Sequence, residues 1–107
     1  MTGAVVRRWE ATIARDQVLE WRDTLLERVF PKMKAINGFR ALRVHAQHDQ
    51  DPCRVTVFTE WDDMLCVRRF AGDDPAKAVI PDFMEPFFRS YDETATFHDE
   101  LVLEASR

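Results

Sequence analysis

Between Ala4 and Ile13 the side chains alternate, with Val5, Trp9, Ala11 and Ile13 on one face and Arg8, Glu10 and Thr12 on the other. A period of two rich in β-branched residues predicts a first, half-buried strand. From Asp16 the period changes. Val18, Trp21, Leu25, Val29 and Met33, flanked by Leu26 and Phe30, recur at helical spacing, with Glu20, Asp23, Glu27 and Arg28 between them. This predicts a long amphipathic helix opened by an Asp16 cap. Pro31 has no N–H to donate, so the helix is expected to bend or restart there, and Gly38 after Asn37 to stop it.

Phe39 to His48 and Cys53 to Trp61 are strand-like runs separated by the polar, breaker-rich Asp49-Gln50-Asp51-Pro52, which predicts a hairpin. Asp62 or Asp63 is expected to cap a short helix through Met64, Leu65, Val67, Arg68, Phe70 and Ala71, with Gly72 ending it. Asp74-Pro75 places a cap before a proline at the first helical position, predicting another turn through Lys77 to Ile80. Pro81 and Pro86 interrupt the next stretch and leave Phe83, Met84, Phe87 and Phe88 as an apolar cluster on short helix or loop. Thr94 to Leu103 predicts the final strand. The order is βαββαβ, the ferredoxin-like α+β arrangement, with helices on one face of an antiparallel sheet. Apolar residues on both faces of the central strands (Leu42, Val44, Val55 and Val57 beside Phe39 and Phe58) leave the other face needing a cover, and sheet-to-sheet homodimerisation is the expected one.

Composition narrows the function classes. A chain of 107 residues is one domain, here taken as 1–107, and its net charge of −4 offers no basic field for nucleic acid or an anionic membrane. No apolar run reaches the roughly 18 residues that span a bilayer, and Met1-Thr2-Gly3-Ala4 leads straight into Arg7-Arg8, so the chain reads as cytoplasmic and unprocessed. Cys53 and Cys66 form no CxxC, and the three glycines are too few for a phosphate-cradling loop. Eight Phe, three Trp and one Tyr exceed what a core of this size needs, which points to an interface, an apolar pocket or both.

Four stretches resemble the antibiotic-biosynthesis monooxygenase family of dimeric α+β barrels. They are Phe30-Pro31-Lys32-Met33-Lys34-Ala35-Ile36-Asn37-Gly38-Phe39, Glu60-Trp61-Asp62-Asp63, Arg69-Phe70-Ala71-Gly72-Asp73-Asp74 and Phe97-His98-Asp99-Glu100-Leu101. They occur in the family's order, and the resemblance as a whole runs roughly from Val5 to Val102. The resemblance implies an apolar cavity in each subunit between sheet and helices, and a choice among cofactor-free oxygenases of aromatic polyketides, quinol oxygenases and heme-degrading enzymes. The heme-degrading members use a strand 1 asparagine, a helix 2 tryptophan and a later iron-ligating histidine; the matching positions here are Trp9, Phe70 and Ile80. Isoleucine cannot ligate iron, so heme is disfavoured and no cofactor is expected.

Candidate site residues come from their chemistry. His45 and His48 lie three apart on a strand and face opposite ways, so no metal site is expected even with Asp49 and Asp51 nearby. His45 or His98 could take a phenolic proton near neutral pH. Tyr91, beside Arg89, could stabilise reduced oxygen as a phenol held near a guanidinium. Trp9, Trp61, Phe70, Phe83 and Phe87 are candidates to hold an aromatic ring, although packing alone explains such residues well. The doublets Arg7-Arg8 and Arg68-Arg69 sit among acidic residues and read as solvated faces. The expected function is a cofactor-independent monooxygenase of a small aromatic phenol, quinol or anthrone. The alternatives are a non-catalytic small-ligand-binding or stress-associated module and a polyketide-type isomerase or cyclase.

Overall fold

The computed structural model describes residues 4–106; the N-terminal stretch read as unprocessed, Met1 to Gly3, and Arg107 lie outside the described residues. The strands are β1 (Val5–Ile13), β2 (Phe39–Ala46), β3 (Cys53–Trp61), β4 (Phe88–Tyr91) and β5 (Thr96–Asp99). They form one antiparallel sheet in the order β2-β3-β1-β4, and β5 also pairs with β1. The helices are α1 (Val18–Thr24), α2 (Phe30–Lys34) and α3 (Met64–Ala71). The ferredoxin-like α+β fold read from the sequence is the observed one.

The alternation in β1 survives folding. Its burial follows the odd positions, and the register Trp9 to Val57 and Ala11 to Val55 carries the same inner face onto β3. The larger core lies there, built on Trp9, Ala11, Ile13, Trp21, Leu25, Cys53, Val55 and Met84. A second cluster gathers Phe39, Met64 and Phe70 around Trp61, Cys66 and Val67, where Trp61 stacks on Phe70 at 5.3 Å.

Two local expectations are corrected, and the break expected at Pro31 is found with a particular form. Asp16 is not a cap: it lies inside a 3₁₀ turn, Arg15–Gln17, and no side chain caps α1. The predicted bend before Pro31 takes the form of a π-helical stretch, Leu25–Val29, that joins α1 to α2. Without a proline N–H the regular i→i+4 ladder cannot continue, and a π turn is one way a helix absorbs that break. The turn expected over Lys77 to Ile80 does not form, because the backbone there pairs elsewhere: Ala78 N–H donates to Glu93 O at 2.9 Å and Ala95 N–H to Ala76 O at 2.6 Å.

That pairing also corrects the last strand. Thr94 to Leu103 was expected to run unbroken, but β1 is met by β4 at one end and β5 at the other, while Lys77 bridges Thr94 between them. Beyond Asp99 the chain leaves regular structure, with Leu101, Val102 and Leu103 at 89%, 74% and 70% exposure. By contrast, α3 matches the sequence reading closely. Asp63 Oδ1 accepts the Cys66 N–H at 3.0 Å, and Gly72 closes the helix at φ +90°.

Candidate functional site

Between the inner sheet face and the helices lies a cavity of about 50 Å³. The sheet supplies Trp9, Val57 and Thr59 to its wall, the helices Trp21, Leu25, Val29, Met33 and Phe70, and the irregular segment before β4 Val79, Ile80, Pro81 and Met84. This wall is apolar except at two places, Thr59 and Arg7. The Thr59 hydroxyl is already engaged, accepting the Trp61 Nε1–H at 2.9 Å.

Arg7 decides the electrostatics. It occupies an inward position of β1 and is only 6% exposed. Its Nε donates to Pro75 O at 3.2 Å and its Nη2 to Lys77 O at 2.8 Å, while its guanidinium carbon lies 5.7 Å from the Phe70 ring centre. Among the described residues no carboxylate pairs with it. Burial pulls its pKa below the ordinary arginine value; a guanidinium nonetheless keeps its proton in proteins. Trp21 lines the same wall, and its Nε1–H is buried without a hydrogen-bond partner. The cavity therefore combines aromatic walls with a fixed positive charge.

Sequence reasoning placed Arg7 on a solvated face because acidic residues surround the arginine doublets. Periodicity held the contrary signal, since Arg7 falls in the same odd-numbered series as Val5, Trp9, Ala11 and Ile13. Trp21 was legible as an apolar helix position, but its unpartnered N–H is a tertiary fact.

Trp9 and Phe70 line the cavity, as does Ile80. These are the positions matched to the heme-degrading motif, and none of them carries an iron ligand. Trp61 is fully buried behind Phe70 in the second cluster. Phe83 and Phe87 pack against the larger core outside the cavity wall, and the Arg28 guanidinium covers Phe83 at 3.7 Å.

The histidines lie elsewhere. His45 pairs with Thr56 and His98 with Val6, both outward positions, so the two rings stand on the opposite face of the sheet from the cavity. There, with Val6, Arg8, Arg43 and Phe58, they line an open groove of about 440 Å³. Strand alternation alone would put Phe39 on the face of His45, but a β-bulge between Phe39 and Ala41 turns Phe39 inward against Trp61. Tyr91 sits at the sheet's edge, 42% exposed, with its ring 6.3 Å from Trp9. Among the described residues no hydrogen bond joins it to Arg89, which is exposed. His48 meets Asp49 at 2.9 Å on the surface. Among the described residues no group of three His, Cys, Asp or Glu is placed to hold a metal ion, and no helix is long and apolar enough to cross a membrane.

No protein-family model and no curated protein sequence matches the chain. Solved structures do match. The ActVA-Orf6 monooxygenase of Streptomyces coelicolor, solved with nanaomycin D, aligns at 15% identity over 99% of this chain and 94% of its own, with a TM-score of 0.65. A Bacillus cereus protein carrying the antibiotic-biosynthesis-monooxygenase name aligns at 11% identity over 98% of both chains, TM-score 0.68. Protein SO0527 of Shewanella oneidensis aligns at 13% over 94% and 93%, TM-score 0.66. At these identities the likeness is one of fold, and it agrees with the family resemblance read from the sequence.

Proposed function

We propose that this chain is a cofactor-independent monooxygenase of a small aromatic phenol, quinol or anthrone, which binds in the cavity between sheet and helices. The observation that carries the reading is the buried Arg7 guanidinium, unpaired with any carboxylate among the described residues, in a wall of aromatic and aliphatic side chains. The fold is similar to that of a monooxygenase solved with the ligand nanaomycin D, which supports a monooxygenase that takes a small molecule.

An ionised phenol or anthrone is electron-rich enough to reduce dioxygen without a cofactor. At an anthrone's CH₂ carbon, one atom of O₂ becomes the new carbonyl oxygen, and the other leaves as water with the two hydrogens. The protein's part is to favour the anion and to keep water away. A fixed cation in a low-dielectric wall lowers a bound phenol's pKa and stabilises negative charge as it moves to oxygen. Arg7 favours the anion, and the phenolic proton passes to bulk solvent before the ring enters, so no separate base in the cavity is needed. The cavity as it stands admits water or dioxygen, whereas a benzene-sized ring needs on the order of 150 Å³. The Val79–Pro81 wall, irregular in structure and exposed at Val79, is the part that moves.

The open sheet face is assigned to a second copy of the chain. Phe58 and Val6 lie there half-buried beside the exposed Leu101 and Val102, and a symmetric partner would cover them.

Oxygen uptake by the purified protein, with no metal or cofactor added, tests the reading across anthrones and hydroquinones against spontaneous oxidation. Protein-dependent uptake with an oxygenated product is expected, and silence across the panel overturns it. A second reading, a binding module, draws on a specific observation: no group that titrates near neutrality lines the cavity. It predicts saturable binding with no oxygen consumed.

A further inference from the structure

The cavity leaves two ionisable rings unused. His45 on β2 and His98 on β5 are exposed on the outward face of the sheet, and both border the open groove. Cross-strand register fixes what surrounds them. His45 lies in the row of Thr56 and Glu10, its ring centre 5.3 Å from that of Phe58, with Arg43 at the preceding outward position of β2. His98 lies in the row of Val6 and Glu60, its Nε2 2.8 Å from Thr96 Oγ1, with Arg8 at the next outward position of β1.

The acids of this face are already engaged. Glu10 meets Arg8 and, at 3.2 Å, Arg54, while Glu60 lies 4.0 Å from Arg40 and 3.8 Å from Arg43. Asp99 borders the groove but pairs with Val5, an inner-series position, so strand alternation turns it from His98; Glu100 follows where the chain leaves β5. Among the described residues neither ring meets a carboxylate, and the histidine that does is His48, with Asp49. A proton on either ring therefore adds positive charge to a strip where Arg8, Arg43 and Arg54 already outnumber Glu10 and Glu60.

The face is large enough for a second copy. Four strand positions about 4.8 Å apart, up to nine residues long, present roughly 600 Å². Two such faces come to about 1,200 Å², the lower end of what a stable dimer buries, and the exposed Leu101, Val102 and Leu103 extend it. Each of the three arginines meets an acid of its own chain, so one copy can cover another without stranding a charge while the imidazoles are neutral. An imidazole gains its charge between about pH 8 and 5, and burial without an acid disfavours that charged form. A proton bound by the separated chain must then be released as the faces close, and by linkage acid favours the separated chains.

We infer that the open sheet face is an acid-sensitive joint between two copies of this chain, closed while His45 and His98 are neutral and opened when they take up protons. This rests on the second copy proposed above for that face.

Sedimentation of the full chain over a concentration series, from about pH 7.5 to about pH 5.5, tests it in a window where carboxylates stay ionised. The dimer dissociation constant is expected to rise at least about tenfold towards the acid end, with far-UV circular dichroism unchanged. His45→Gln and His98→Gln stay polar at exposed positions without titrating. Each is expected to remove part of the pH dependence, and the double variant nearly all of it. His48→Gln, beyond the end of β2, should keep the parent's profile.

A dimer that weakens in acid and a double variant that does not support the inference. A dimer that holds or tightens in acid overturns it, as does weakening that persists in the double variant. A chain that is monomeric at every concentration and pH overturns the second-copy assignment as well, so the two failures are told apart by the parent alone.

Discussion

Trp9 Nε1 donates to the Asp92 carbonyl at 2.6 Å, joining the middle of β1 to the break between β4 and β5. Asp92 returns its own N–H to Glu10 O at 2.9 Å, so the chain is pinned at the point where it leaves the sheet. The next residues are then free to pair with the Ala76–Ala78 segment.

Trp9→Phe keeps most of the apolar volume and deletes that donor. The expected cost is about 0.5–1.5 kcal/mol, the net worth of a hydrogen bond whose acceptor, on the exposed Asp92, can turn to water instead. Urea denaturation measures it, and amide exchange at Glu93 and Ala95 should speed up more than in β3. An unchanged midpoint would show that the bond does not hold the break.

Gly38 sits at φ +96°, and a Cβ there would meet Cys66 Sγ at 2.2 Å. Gly38→Ala is expected to destabilise by at least about 1–3 kcal/mol, since backbone strain and overlap act together. Adding Cys66→Ala should recover the overlap part and leave the strain. Comparison of the two variants by thermal melting separates these causes, and equal melting temperatures would show that overlap contributes nothing.

Hydrogen bonding to the Cys66 N–H lowers the Asp63 pKa from its ordinary value of 3.8. A carboxylate whose folded pKa is depressed contributes stability above its unfolded pKa and loses it as pH falls through the folded one. Asp63→Asn retains a capping oxygen and removes the charge. The parent is expected to melt above this variant at neutral pH, with the gap closing as pH drops below about 4. A gap independent of pH would remove the charge from the account.

Phe58→Arg places a third cation in the middle of the open sheet face, between its cross-strand neighbours Arg8 and Arg43. Burying that charge against a symmetric copy is prohibitive, so sedimentation should show a dimer for the parent and a monomer for the variant, with the fold retained. A parent that sediments as a monomer at all concentrations rules out the second copy on this face.

Much of the architecture was legible from local chemistry. The period of β1, the hairpin around Asp49 to Pro52, the Asp63 cap and the Gly72 stop each depend on neighbours a few residues apart, and each formed where expected. Aromatic excess pointed to an interface, a pocket or both, and Trp9 and Phe70 line a pocket. The rest depended on pairings across the chain. Whether Thr94 belongs to β1 or to Lys77 is a competition between two distant partners, and no local pattern ranks them. One bulge beside Phe39 takes that ring off the face of His45 while Ala41 and Arg43 stay on it, because a single extra residue inverts the alternation on one side of the bulge.

The sequence by itself determined the element types, the inner face of β1 and the supply of aromatic side chains, because these depend on periodicity and residue chemistry. Only the tertiary structure decided what Arg7 is. Beside Arg8 it resembles a solvated cation; in the fold, strand parity carries it inward, the loop at Pro75 and Lys77 closes over it, and no acid comes with it. A charge takes its meaning from the dielectric and the partners around it, and those are assembled from residues about seventy positions away.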